Sequence, residues 1–161
     1  SEDAREAFKL AIAQLIEMRE REGTELSQVI EAKLKEIEAI TAEVRLSATT
    51  ITENLRAKLK AKLQDIDIEI DPGRLEQEFV IQAQKLDIAE ELDRLDTHIA
   101  EVRHNLRSQQ PIGRRLDFLM QELNREANTL SSKSQSSNTT ISAVDLKVLI
   151  EQVREQVQNI E

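Results

Sequence analysis

IEAKLKEIEAITAEVRLSATTITENL, from Ile30 to Leu55, decides the fold. Ile30, Ile37, Val44 and Ile51 recur every seven residues, and Leu34, Thr41, Ala48 and Leu55 follow each of them by four. A repeat of this period is the seam of a helix that packs lengthwise on another helix. Outward from the seam, a helical pattern runs from Asp3 to about Asp65; Gly23 is expected to interrupt its early part, and the register drifts at Leu59, Leu63 and Ile66. Sixty residues of helix are about 90 Å long at 1.5 Å per residue. Such a helix cannot bury its seam alone, so an antiparallel return or a second subunit is expected.

Composition agrees with helix seams and excludes other builds. Of 161 residues, 39% are hydrophobic, 33% charged and 2% aromatic, with no Trp or Tyr. Few rings are available to fill a wide core, whereas Leu, Ile, Val and Ala suit narrow interfaces. Three Gly and two Pro are too few for a chain of hairpins. The fold class is therefore all-α, a long helical hairpin or coiled-coil arm over residues 1–71 with a helical bundle over 72–161. The absence of Cys removes disulfides and thiolate chemistry and suits a reducing, cytoplasmic setting. No apolar run approaches the roughly 18–20 residues of a membrane span, and no signal peptide is visible. Opening at Ser1 rather than Met and already in helical pattern, the chain reads as part of a longer protein.

The net charge of −9 argues against a protein that coats nucleic acid indiscriminately. Its distribution is uneven. Asp65 to Glu101 holds twelve acids and three bases, whereas Arg103 to Lys133 holds six bases and three acids. Adjacent acidic and basic segments serve either to hold two helices together or to place a cation beside an anionic ligand.

IDIEIDPG (Ile66–Gly73) alternates apolar and acidic residues and is expected to be a turn. A second helix is expected from about Arg74 to Arg107, broken at SQQPIG (Ser108–Gly113) because Pro111 cannot extend the hydrogen-bond ladder. A third should end near Leu130, before a loop at Ser131–Thr140. A last amphipathic helix, Ile141–Ile160, should place Val144, Val148, Val153, Val157 and Ile160 near one face.

Two helix faces carry unusual polarity. In the third helix, Leu116, Leu119, Met120, Leu123, Ala127 and Leu130 share the buried arc. Opposite lie Arg114, Gln121, Arg125 and Asn128, flanked by Asp117 and with an exposed Phe118 among them. Guanidinium forks and amides around a ring can hold phosphates and stack on bases. A helix packed between two others, with interface ion pairs, would show the same pattern. In the second helix, Ile88, Leu92, Leu95, Ile99, Val102 and Leu106 form the apolar arc, beside which sit Asp87, Glu91, Arg94, His98 and Glu101. Carboxylates and an imidazole on one face can hold a hard divalent cation or move a proton; solvated ion pairs are the plainer reading. No Gly-rich phosphate loop, Cys zinc spacing or nucleophile elbow is present.

The stretches EELDRLDTH (Glu90–His98), GRRLDFLMQELNREANTLSSKS (Gly113–Ser134) and DLKVLIEQVREQVQNIE (Asp145–Glu161) resemble the C-terminal region of the YicC-type endoribonucleases. The last departs from the family's usual Glu at its first position. The resemblance is close over Pro72–Glu161, and REREG (Arg19–Gly23) fits the linker region before it. It implies a bacterial cytoplasmic protein that cleaves RNA internally with a divalent cation, Mn²⁺ or Mg²⁺, and assembles as a ring-like homo-oligomer, a hexamer. It also implies a preceding domain of similar size that this chain lacks. Motif positions carried over are Glu90, Glu91, Arg94 and His98, then Arg114, Asp117, Phe118, Gln121, Glu122, Asn124, Arg125, Glu126, Asn128, Thr129, Ser132 and Lys133.

On that resemblance, His98, Glu91 and Glu122 are the expected catalytic residues, and Glu91, Asp117, Glu122 and Glu126 the expected metal ligands. Arg94, Arg114, Phe118, Gln121, Arg125, Asn128 and Lys133 are expected to bind RNA. The attacking group is either a metal-activated water or the RNA 2′-hydroxyl with His98 as general base. The rival expectation is a helical oligomerisation and RNA-docking module, whose catalytic groups lie in the domain this chain lacks. A coiled-coil scaffold that never meets RNA is what composition alone would favour.

Overall fold

The computed structural model describes residues 2–64, 71–108, 111–134 and 137–159. All regular structure among them is α-helical: α1 (Glu2–Gln64), α2 (Pro72–Leu86), α3 (Ala89–Leu106), α4 (Gly113–Lys133) and α5 (Ser137–Val157). The all-α expectation holds. The expected turn at Ile66–Gly73 lies largely outside the described residues. Its described end caps α2: Asp71 accepts a hydrogen bond from the Gly73 N–H at 3.0 Å, and Pro72 occupies the first helical turn, where its missing N–H costs nothing.

The helices form an up-down-up-down bundle, in which α1, α3, α4 and α5 each run antiparallel to their neighbours. Pairs across each interface fix the directions. Arg45 of α1 bonds Asp93 and Asp96 near the start of α3, while Glu31 and Glu38 receive Arg103 near its end. Arg154 of α5 reaches Asp117 at the start of α4 at 3.3 Å. Lys33 of α1 donates to Gln152 of α5 at 2.7 Å. Farther along α1, Arg56 stacks on Phe79 of α2 and pairs with Glu76.

The core is one cluster of aliphatic side chains. Ile30, Leu34, Ile37 and Val44 from the seam meet the expected arcs of α3 and α4 and a stripe from α5. Thr41, buried in the same row, bonds its hydroxyl to the Ile37 carbonyl at 2.9 Å. Every ring lies outside this cluster, as the composition required. The antiparallel return covers the seam only from about Ile30 to Ala48; residues 2–25 of α1 are exposed along their whole length.

Four expectations are corrected. Gly23 does not interrupt α1, because a single Gly in so long a helix costs only about 1 kcal/mol and no side chain opposes it. The expected second helix is two. It breaks at Asp87 and Ile88, where Asp87 turns extended and accepts the Ala89 N–H at 3.0 Å. The Ser131–Thr140 loop is mostly helix: α4 continues to Lys133 and α5 starts at Ser137, with the Ser134 and Thr140 hydroxyls 3.1 Å apart. The buried stripe of α5 is Ala143, Leu146, Ile150, Val153 and Val157, while Val144 (52% exposed) and Val148 (50%) point outward. Ile160 lies outside the described residues.

Candidate metal centre and its polar flank

Beside their apolar contact, antiparallel α3 and α4 are joined by a ladder of polar side chains. Its first rung is Glu91 with Lys133: the carboxylate is 5% exposed, and the ammonium donates to it at 2.7 Å and to the Asp87 carbonyl at 3.0 Å. One Lys thus ties the last turn of α4 to the first of α3. At the far end, Arg115 pairs with Glu101 at 3.0 Å. Arg94 forms the second rung, bonding Glu90 four residues before it on α3 and lying 3.5 Å from Glu126.

The third rung differs. His98, Glu122 and Glu126 each offer one ligand atom, and the three atoms lie within 4.8 Å of one another. Glu126 is 3% exposed, and Glu122 has no ion-pair partner among the described residues. Arg94 is the cation shared between Glu90 and Glu126, so acids outnumber cations here, unlike at the two ends. The buried Nδ1 of His98 also lacks a hydrogen-bond partner among the described residues. A desolvated carboxylate and an orphaned ring nitrogen are each costly without a partner. One imidazole and two carboxylates form a donor set that fits a divalent cation.

The structure brings together three sequence-predicted residues and separates two others from them. Glu91 is held by Lys133, although its Oε2 is buried without a partner. Asp117 faces the other way, accepting from Gln121 at 2.9 Å and from Arg154 at 3.3 Å. The amide of Asn124, not among the candidates assigned a role, keeps a buried Oδ1 unpartnered among the described residues. Arg154 gave no signal in the sequence, since its partner lies 37 residues away.

The outer face of α4 carries the remaining candidates. Arg114, Phe118, Gln121, Arg125 and Asn128 are all exposed. Arg115 lies over the Phe118 ring at 5.6 Å, leaving the ring 48% exposed. Asn124, Arg125, Asn128, Thr129 and Ser132 line a shallow groove with Gln121. Neither Arg114 nor Arg125 has an ion-pair partner among the described residues. Of the basic segment, Arg103, Arg115 and Lys133 clamp helices, as the first reading of the charge asymmetry expected, whereas Arg114 and Arg125 are left to solvent.

No helix among the described residues is long and apolar enough to cross a membrane. Two curated relatives are each named probable endoribonuclease YicC. The one from Haemophilus influenzae (strain ATCC 51907 / DSM 11121 / KW20 / Rd) is 46% identical over all of this chain and 56% of its own length. The one from Clostridioides difficile (strain 630) is 36% identical over 97% of this chain and 54% of its own. The chain spans about half the length of these relatives. Residues 40–161, which hold the whole α3–α4 ladder, match the family described as Endoribonuclease YicC-like, C-terminal, and the chain belongs to that family.

Proposed function

We propose that this chain carries the metal centre and RNA-gripping face of a cytoplasmic endoribonuclease. The observation that carries the reading is the convergence of His98, Glu122 and Glu126 from two helices, with one buried carboxylate and too few cations. These three residues would hold Mn²⁺ or Mg²⁺, which supplies electrostatic stabilisation of charge growing on the scissile phosphate. In this reading His98 is a ligand, replacing its expected role as general base. Glu91 and Asp117 move outward from the expected ligand set, Glu91 holding α4 on α3 through Lys133 and Asp117 holding α5 on α4 through Arg154.

Arg114 and Arg125 bind phosphates, each with a planar fork suited to two oxygens. Phe118 offers a base its open ring face, and Gln121 and Asn128 donate and accept around it. Both stand on a rigid helix next to the metal centre, so substrate is oriented without ordering a loop. The uncovered apolar faces of α1 and α5 support assembly into a homo-oligomer.

The test is Mn²⁺-dependent cleavage of a fluorescent structured RNA by this chain, with the full-length Haemophilus influenzae relative as reference. His98→Ala and Glu126→Gln should each lower cleavage by about 100-fold while RNA binding persists. Cyclic 2′,3′-phosphate product ends would identify the 2′-hydroxyl as the attacking group. Cleavage by the relative alone, undiminished when its matching His and Glu are replaced, would favour the docking-module reading instead. That second reading draws on α1, whose exposed segment leaves Phe8, Leu10, Leu15, Ile16 and Met18 uncovered.

A further inference from the structure

Arg94 occupies an unusual position. Its guanidinium is half exposed, with one arm bonded to Glu90 on its own helix and the other 3.5 Å from the buried Glu126. The second contact is loose for a charge-assisted pair, which normally closes to about 2.7–2.9 Å. Glu126 is also one of the three groups that converge with His98. Arg94 and a divalent cation at that centre would therefore address the same carboxylate, and the two are alike in charge.

On the reading of the metal centre given above, we infer that Arg94 is a stand-in cation that metal displaces, and that its release couples metal loading to RNA binding. Without metal, Arg94 supplies part of the positive charge that Glu126 needs. With metal, the double positive charge of the ion offsets the two carboxylates of Glu122 and Glu126, so the net negative charge that attracted Arg94 is gone. Arg94 then keeps only its surface contact with Glu90, an exposed i,i+4 pair of small energy. A phosphate competes with such a pair easily. Metal thus adds one phosphate-binding cation to the RNA face, and by linkage RNA must tighten metal binding by the same factor.

The experiment measures Mn²⁺ binding by electron paramagnetic resonance, and binding of a 2′-O-methyl RNA at several salt concentrations with and without Mn²⁺. Wild type is compared with Arg94→Ala, Arg94→Lys and Glu126→Gln. Arg94→Ala should bind Mn²⁺ about three- to tenfold tighter in the absence of RNA, since it removes a competing charge. Arg94→Lys should stay near wild type. In Mn²⁺, Arg94→Ala should lower the salt slope of RNA binding by about one phosphate contact, and without Mn²⁺ it should leave the slope unchanged. Unchanged or weaker Mn²⁺ binding by Arg94→Ala would overturn the inference while leaving the metal centre standing. No Mn²⁺ binding by wild type, or undiminished binding by Glu126→Gln, would remove the metal centre and the inference with it.

Discussion

At the scale of single residues, the helical wheel placed His98 on the polar arc of one helix, and the motif added Glu122 and Glu126 on the next. It could not give the register between the two helices, because nothing local specifies which turn of α4 faces which turn of α3. Glu91 therefore joined the expected ligand set, although its partner is Lys133, 42 residues on. The proposed metal centre has a stability signature independent of catalysis. Its carboxylates repel one another when no metal is bound, so Glu122→Gln should stabilise the metal-free protein by about 0.5–1 kcal/mol. On that proposal Mn²⁺ should raise the melting temperature of wild type, since a bound ligand stabilises by mass action, and the same change should abolish the rise. A Glu122→Gln protein that melts lower than wild type without metal would contradict the repulsion. Lys133→Ala, by contrast, should destabilise by about 2–4 kcal/mol, because it leaves the buried Glu91 carboxylate uncompensated. Chemical denaturation would show the contrast directly.

At the scale of elements, the apolar arcs of α3 and α4 were legible throughout, because each has one wet face and one dry face. The arc of α5 was not. It is apolar on two opposite faces, and the residues chosen from sequence mixed Val144 and Val148 from the outer face with Val153 and Val157 from the inner. The inner row follows the heptad seam and is buried; the outer row is half exposed. Leu146→Ala should therefore cost about 2–5 kcal/mol of stability, while Val144→Ala should change it by under about 0.5 kcal/mol. The break between α2 and α3 lacked Pro or Gly, yet Asp87 followed three residues later by Glu90 is a helix-start pattern that could have been read. The contact between α1 and α3 also sets a pH response. The Arg103 guanidinium, hydrogen-bonded to Glu38, holds that carboxyl below its usual value of 4.5 and is itself pushed up. A lowered folded-state pKa gives stability that is complete above the unfolded value and is lost as pH falls through the folded one. Glu38→Gln should cost about 0.5–1 kcal/mol near neutral pH, a small value for a half-exposed pair, and the difference from wild type should shrink steadily below pH 4.5. A pH-independent difference in denaturant midpoint would exclude this origin.

At the scale of the whole molecule, the sequence stated correctly that α1 needed cover, and the heptad named the covered rows. It could not say where cover would stop, because the seam residues at Ile51 and Leu55 look like those at Ile30 and Ile37. Toward the N-terminus packing ends with α5 and α3, and residues 2–25 of α1 stand clear of them, while at the other end α2 takes over at Arg56. Amide hydrogen exchange should show this division, with strong protection at Ile30–Val44 and weak protection toward Glu2. Gly23→Ala should slow exchange of the flanking amides by about three- to fivefold, matching up to about 1 kcal/mol of helix propensity, and leave the global melting temperature unmoved. A shift of the global transition would mean that the free segment is coupled to the core. There is a mechanical side to this geometry. A continuous helix gripped along its middle is a cantilever, and its free residues 2–25 project about 36 Å at 1.5 Å per residue. Tilting the grip by about five degrees would sweep the tip through about 3 Å, so a displacement too small to notice at the α3–α4 ladder arrives magnified at the far end of α1.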